Sequence, residues 1–103
     1  MAEASRLKLQ SKLEELLGSE NVYYNPPESK KMAYPAIRYT KKDIDVRRAS
    51  NTIHTTKTCY EVTVISAKPD DPVIEKILEL PYCSYDRPYK ASNLNHDVLT
   101  LYY

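Results

Sequence analysis

Two stretches of alternating apolar and polar residues, separated by a short polar segment, constrain this chain more than any other feature. From Thr56 to Ser66, Tyr60, Val62 and Val64 fall on one face, and Cys59, Glu61, Thr63 and Ile65 on the other. That period of two is the signature of a strand. Upstream, Ala36-Ile37-Arg38-Tyr39-Thr40 alternates in the same way, and the pattern continues more weakly through Ile44 and Val46. Residues 47–52, Arg-Arg-Ala-Ser-Asn-Thr, make a polar turn between them. Pairing 36–47 with 53–66 predicts a long antiparallel hairpin. Strands of that length outrun the core that 103 residues can build, so the far end is expected to project.

The remaining segments fit around this hairpin. Over residues 3–17, Leu9, Leu13, Leu16 and Leu17 follow the i, i+4, i+7, i+8 spacing of a helix facing a core, and Leu7 widens the stripe. Gly18 stops that helix, because glycine takes the left-handed cap conformation without penalty. Val22-Tyr23-Tyr24, ended by Asn25-Pro26-Pro27, is a short strand or an extended arm, and 28–34 is a polar loop. Asp71 and Pro72 are a capping carboxylate and a first-position proline for a second helix, about 72–80, which buries Val73, Ile74, Ile77 and Leu78. Pro81 ends it. Residues 82–89 are extended, with Pro88 marking an edge strand or a strand end. Asn93-Leu94-Asn95 is a turn, and 96–103 a last strand with Val98, Thr100 and Tyr102 alternating against Leu99, Leu101 and Tyr103. The order α-β-β-β-α-β-β predicts one α/β domain of the α+β type spanning 1–103. Its single antiparallel or mixed sheet carries both helices on one face. Leu13, Leu16, Val62, Val64, Ile74 and Ile77 are expected in its core.

Composition narrows the function classes. Gly18 is the only glycine, so no glycine-rich phosphate loop or dinucleotide fingerprint is available. Fifteen Lys and Arg against 14 Asp and Glu give a net charge of +1, without the basic excess of a dedicated nucleic-acid binder. Basic runs such as Lys41-Lys42 and Arg47-Arg48 are interleaved with Asp43 and Asp45 and read as solvated edges. No apolar run of signal-peptide type or of the roughly 20 residues of a membrane span occurs. Synthesis in a cytoplasm with Cys59 and Cys83 reduced is therefore expected, with no membrane partner.

Catalytic and metal chemistry find little support. The spacings His54-x4-Cys59 and Cys83-x12-His96 lack the close ligand pairs of a structural zinc site, and no cofactor is expected. Either cysteine with His96 and Asp97 would make a nucleophile set, but adjacent strand residues point to opposite faces and no oxyanion site adjoins. The chain reads as a non-enzyme.

Ten tyrosines with no Phe and no Trp suit surfaces packed on one side and wet on the other. A half-buried sheet face, a subunit interface and base stacking all use them. Tyr85, Arg87 and Tyr89 share parity, as do Ile37, Tyr39 and Lys41, which would put aromatic and basic groups on one face. Arg38 and Arg87 are either solvent-facing alternates or inter-subunit ion-pair formers. The candidate subunit interface comprises Arg38, Tyr39, Arg47, Arg48, Asn51, Tyr85, Arg87 and Tyr89.

Several stretches resemble small tail-completion, or tail-terminator, proteins of prophages and long-tailed phages of Gram-positive bacteria. They are Pro26-Pro27-Glu28-Ser29, Tyr34-Pro35-Ala36-Ile37-Arg38-Tyr39, Cys59-Tyr60-Glu61-Val62-Thr63-Val64-Ile65 and the turn from Pro69 to Pro72. Leu80-Pro81-Tyr82-Cys83-Ser84-Tyr85-Asp86-Arg87 and Asn93-Leu94-Asn95-His96-Asp97 complete them. The resemblance covers nearly the whole chain and carries no catalytic motif. It implies an α/β subunit of the virion neck, forming a ring, a hexamer by expectation, at the head-proximal end of the tail tube. In such proteins an extended hairpin often reaches a ring neighbour. The implied partners are copies of itself, the major tail tube protein and the head–tail connector proteins, with DNA passing through the lumen without specific binding. A head-closure or stopper role at the same neck, a sheet-based single-stranded nucleic-acid-binding module and a small adaptor stay open as alternatives.

Overall fold

The structure, a computed structural model, describes residues 2–49 and 52–103. Its elements are α1 (Ala2–Leu17), β1 (Val22–Tyr24), β2 (Ala36–Ala49), β3 (Thr52–Ser66), α2 (Val73–Leu78), β4 (Cys83–Ala91) and β5 (Leu94–Tyr102). The strands form one mixed sheet in the order β1-β2-β3-β5-β4, with β1 parallel to β2 and every other pair antiparallel. This is the α+β order expected, and Val22–Tyr24 is a strand rather than an arm.

Register explains the core. Ile37 stands opposite Val64 and Tyr39 opposite Val62, while Val62 faces Leu99 and Tyr60 faces Leu101 across the next pair. These side chains share one sheet face. Leu9 and Leu13 from α1 and Val73 and Ile77 from α2 pack onto it, so both helices lie on the same side. Each such side chain contributes about 1.5–3 kcal/mol by leaving water. Leu16 and Ile74, expected inside, are partly buried and pack against the cluster.

Two leucines depart from expectation. Leu7 is 52% exposed and Leu78 37% exposed. At about 100° per residue, Leu7 sits some 200° from Leu9 and cannot join its stripe. In the single-turn scale of α2, the i, i+4 pair Val73 and Ile77 meets the sheet and Leu78 is turned aside. The face without helices still buries Ala36, Cys59, Thr63, Ile65 and Val98. They are short or branched side chains on β2, β3 and β5, the inner strands, where neighbours on both sides limit access.

Three local devices shape the ends. Asp71 accepts the Val73 backbone N–H at 3.0 Å and a hydrogen bond from Ser66 Oγ at 3.0 Å, which starts α2 directly after Pro72. Ser92 and Asn93 both have positive φ, 52° and 62°, the pairing that a two-residue hairpin turn needs. The turn is thus Ser92–Asn93, one residue earlier than expected, and Leu94 already belongs to β5. Gly18 closes α1 at φ +78° with its N–H on Glu14 O at 2.8 Å. A Cβ there would meet nothing, so the cost of Gly18→Ala is conformational alone. We expect urea denaturation to show a loss of about 1 kcal/mol, set by the left-handed backbone.

The hairpin leaves the core. Pairing of β5 with β3 ends at Cys59–Tyr102, and pairing of β1 with β2 ends at Tyr24–Tyr39. Past those points Asp43–Lys57 is a two-stranded arm, and the molecule measures 51 × 23 × 23 Å.

Candidate assembly surface

The arm begins at a bulge. Lys41 pairs with Tyr60 and Asp43 with Cys59, so Lys42 is the extra residue. A bulge inverts the phase of the strand that carries it. The odd-numbered apolar series Ile37 and Tyr39 is thereby continued by the even-numbered Ile44 and Val46 on the same face. Beyond the bulge that face is partly open to water: Ile44 is 43% exposed and Val46 38% exposed. Arg48 is exposed further along the same strand and follows their parity. The side chain of Arg47, and Asn51 as a whole, lie outside the described residues.

At the arm's base sits a tyrosine cluster. Tyr24 and Tyr39 have ring centroids 5.0 Å apart, and Tyr39 and Tyr60 5.8 Å apart, edge to face. Tyr39 is fully buried and its hydroxyl donates to Gln10 Oε1 at 2.6 Å. Gln10 Nε2 in turn donates to Val22 O at 2.9 Å and to Glu14. Burial raises the Tyr39 and Tyr60 phenols above their ordinary value, a shift opposed at Tyr39 by Arg6 and at Tyr60 by a Thr58 hydrogen bond. Arg6 lies 4.5 Å from the Tyr24 ring centroid. Tyr39 is therefore a core residue of the subunit, which removes it from the candidate interface. Alternation alone assigned it to a face, but not which face the helices cover.

The other expected residues separate. Tyr85 pairs with Leu99 and Arg87 with Val98, so Asp86 is a second bulge. Tyr85 thus sits on the helix-bearing face, while Arg87 and Tyr89 sit on the other. Their shared parity in sequence does not survive that extra residue. Arg87 Nη1 meets Asp86 Oδ2 at 2.7 Å, an exposed pair that contributes little to stability. Tyr89 stacks on His96 with centroids 4.6 Å apart. Arg38 is half-buried on this same helix-free face, in register with Tyr23 and Thr63.

Tyr85 donates its hydroxyl to Asp97 Oδ1 at 2.7 Å, and Asp97 is itself buried. The carboxylate acceptor, with some desolvation, pushes the Tyr85 phenol up to about 12. A raised phenol stabilises the fold fully below its unfolded value near 10, and this contribution fades as pH climbs through the folded value. Loss of stability over pH 10–12 is therefore expected, and Tyr85→Phe should flatten that part of a pH–stability profile. An unchanged slope in the variant would remove the Tyr85–Asp97 bond from the account.

Cys59 and Cys83 stand on β3 and β4, two strands apart in the sheet order and on opposite faces, Cys59 opposite Tyr102 and Cys83 opposite Leu101. Two strand spacings, about 9.6 Å, exceed the reach of a disulfide. His96 and Asp97 also point to opposite faces, which separates the nucleophile set that sequence would allow. Among the described residues no group of three or more His, Cys, Asp or Glu could hold a metal ion. Among them, too, no helix is long and apolar enough to cross a membrane.

One feature had no clear signal in sequence. Tyr82 has φ +59°, unusual for a residue with a large side chain, and is 68% exposed. Lys57 Nζ of the arm lies 3.6 Å from its ring centroid. The surface offers an arm with an apolar stripe, a tyrosine-rich base and one helix-free sheet face. Comparison with family models, with curated proteins and with solved structures finds no match.

Proposed function

We propose that this chain is a virion structural protein, a tail terminator that forms a ring of identical subunits at the head-proximal end of a phage tail tube. The observation that carries the reading is the arm Asp43–Lys57, two strands that leave the core with Ile44 and Val46 uncovered. A monomer gains little by ordering such an arm, because a large part of the apolar side chains it displays stays in contact with water. A neighbour that covers them supplies the missing gain. A contact in which one copy's arm meets a different surface of the next is heterologous, and it closes into a ring when its rotation divides the circle. The resemblance in sequence supplies the place of that ring, between the tail tube protein and the head–tail connector, and six copies to match the tube.

Imaging of assembled particles tests the reading. The chain is expected at the head-proximal end of the tail, and particles made without it are expected to carry tails that do not join heads. Particles that assemble and infect normally without it would overturn the role.

A second reading draws on the helix-free face, where Tyr23 and Arg38 on one side and Arg87 and Tyr89 on the other flank the residues of β3 and β5. Aromatic and basic groups on one sheet face are the pattern of a single-strand binder. Salt-dependent binding of the isolated subunit to oligonucleotides would favour it over the first.

A further inference from the structure

We propose that the cleft between Asp97, Pro69 and Pro88 is a guanidinium-binding site, which takes an arginine side chain presented by a partner protein. The cleft belongs to the body, near the Ser66–Asn95 pair at the opposite end of β3 from the arm. It stands whether or not the chain forms a ring.

Asp97 is the one charged side chain that is buried among the described residues. A buried carboxylate ordinarily sits with a cation, because its charge is costly to take out of water without one. Here the Tyr85 hydroxyl, on Oδ1 at 2.7 Å, is the single hydrogen bond the carboxylate receives among the described residues. No cation pairs with it there. Among the same residues no fully buried side-chain oxygen or nitrogen lacks a partner. Oδ2 receives no hydrogen bond and therefore keeps an opening to the surface. That opening is a cleft of about 260 Å³, which Asp97 lines with Pro69, Pro88, Lys90 and Asn95.

Register gathers these groups. Pro88 pairs with Asp97 and Lys90 with Asn95, which puts all four on the helix-bearing face. Asn95 Nδ2 donates to Ser66 O at 3.5 Å and Ala67 O at 3.4 Å, which leaves its Oδ1 as a second acceptor beside the carboxylate. The two prolines bring no backbone N–H to compete for either oxygen. A guanidinium carries five N–H donors in a planar fork and can meet both acceptors at once. Its faces are more weakly hydrated than an ammonium, which suits the apolar proline walls.

The chain's own cations leave the carboxylate unpaired. Lys90 lines the cleft, but it is exposed and makes no ion pair among the described residues. Lys68 lines a separate cleft with Asp71, and Lys76 on α2 stands outside both. Arg87 lies on the helix-free face, held by Asp86, and His96 stacks there on Tyr89. A cation from outside completes the site.

Titration of the full chain with N-acetylargininamide, followed by amide correlation NMR at low salt, tests the site. Saturable shifts are expected at Lys90, Asn95 and Asp97, with a millimolar dissociation constant. N-acetylcitrullinamide has the same shape without the charge and is expected to bind about tenfold more weakly or worse. Asp97→Asn should weaken the arginine probe by a similar factor. That variant keeps an acceptor for the Tyr85 hydroxyl and should fold; if it does not, the citrulline comparison on the unaltered chain still decides. Lys90→Met should tighten binding about threefold, because it removes a like charge from the cleft. The capped arginine is expected to bind at least as well as free arginine, whose own ammonium and carboxylate stay charged.

The proposal fails if the arginine probe gives no saturable shift at these amides up to its solubility limit. Equal binding of the citrulline probe or of N-acetyllysinamide would remove guanidinium recognition, and a folded Asp97→Asn chain with unchanged affinity would remove the carboxylate from the site. Free arginine that bound about tenfold more tightly than the capped residue would assign the cleft to the amino acid and overturn the protein partner.

Discussion

Replacing Leu13 or Ile77 by alanine is expected to lower the unfolding free energy by about 2–5 kcal/mol at each site, read from urea denaturation midpoints and slopes. Both side chains are fully buried and belong to the cluster that joins the helices to the sheet. Leu13 anchors α1 in that cluster, while Ile77 anchors a helix of only six residues that has no stability of its own. A domain of this size has roughly 5–15 kcal/mol in total, so either change removes a large share. Leu7→Ala and Leu78→Ala serve as controls on the same helices. Leu7 is 52% exposed and its loss should stay within about 0.5 kcal/mol, while Leu78, 37% exposed, should lose clearly less than Ile77. Equal effects at all four sites would mean that the helices meet the sheet on other faces.

Those four leucines and isoleucines also show how far the sequence could be read. Periodicity identified both helices, because a stripe at i, i+4, i+7 survives any tertiary arrangement. It could not decide Leu7 and Leu78, since the width of a buried stripe depends on how close the sheet lies. Strand existence was legible from alternation, and the projecting hairpin from strand length against core size. What escaped were the bulges at Lys42 and Asp86. At Lys42 a signal was present: the apolar series changes from odd numbers at Ile37 and Tyr39 to even numbers at Ile44 and Val46, and one extra residue reconciles them. At Asp86 there was none, because Tyr85, Arg87 and Tyr89 are all amphipathic enough for either face. This one residue separates Tyr85 from the cationic face on which parity placed it. Tyr39 misled for a related reason. A tyrosine in an alternating strand suits a wet interface, but here Gln10 satisfies its hydroxyl from α1, 29 residues away in sequence, and local pattern contains no trace of that partner.

Excision of the arm is the change expected to separate folding from function most completely. Replacing Asp43–Lys57 by a short turn built on Asn-Gly removes the two-stranded extension and rejoins β2 to β3 next to the Lys41–Tyr60 pair. None of the removed residues belongs to the buried core cluster, whose β2 and β3 members are Ile37, Tyr39, Tyr60, Val62 and Val64. The body should therefore fold. Its thermal midpoint should stay within a few degrees of the full chain's, because a shift of 1 kcal/mol moves a domain of this size by about 4–8 °C. The one expected cost is the Lys57 contact on Tyr82, an exposed cation–π pair of about 0.5–1 kcal/mol. Assembly should fail outright. Without Ile44 and Val46 the subunit has no apolar projection to offer a neighbour. Tails supplied with the shortened chain alone are expected to remain unjoined to heads. Sedimentation of the purified variant should show a single monomeric species at every concentration. A shortened chain that still closed tails would place the assembly surface on the helix-free sheet face, with Arg38, Arg87 and Tyr89, and would leave the arm without a structural purpose. A shortened chain that failed to fold would show instead that the arm's ladder supports the central strands, and would remove the division between arm and body on which the assembly reading depends.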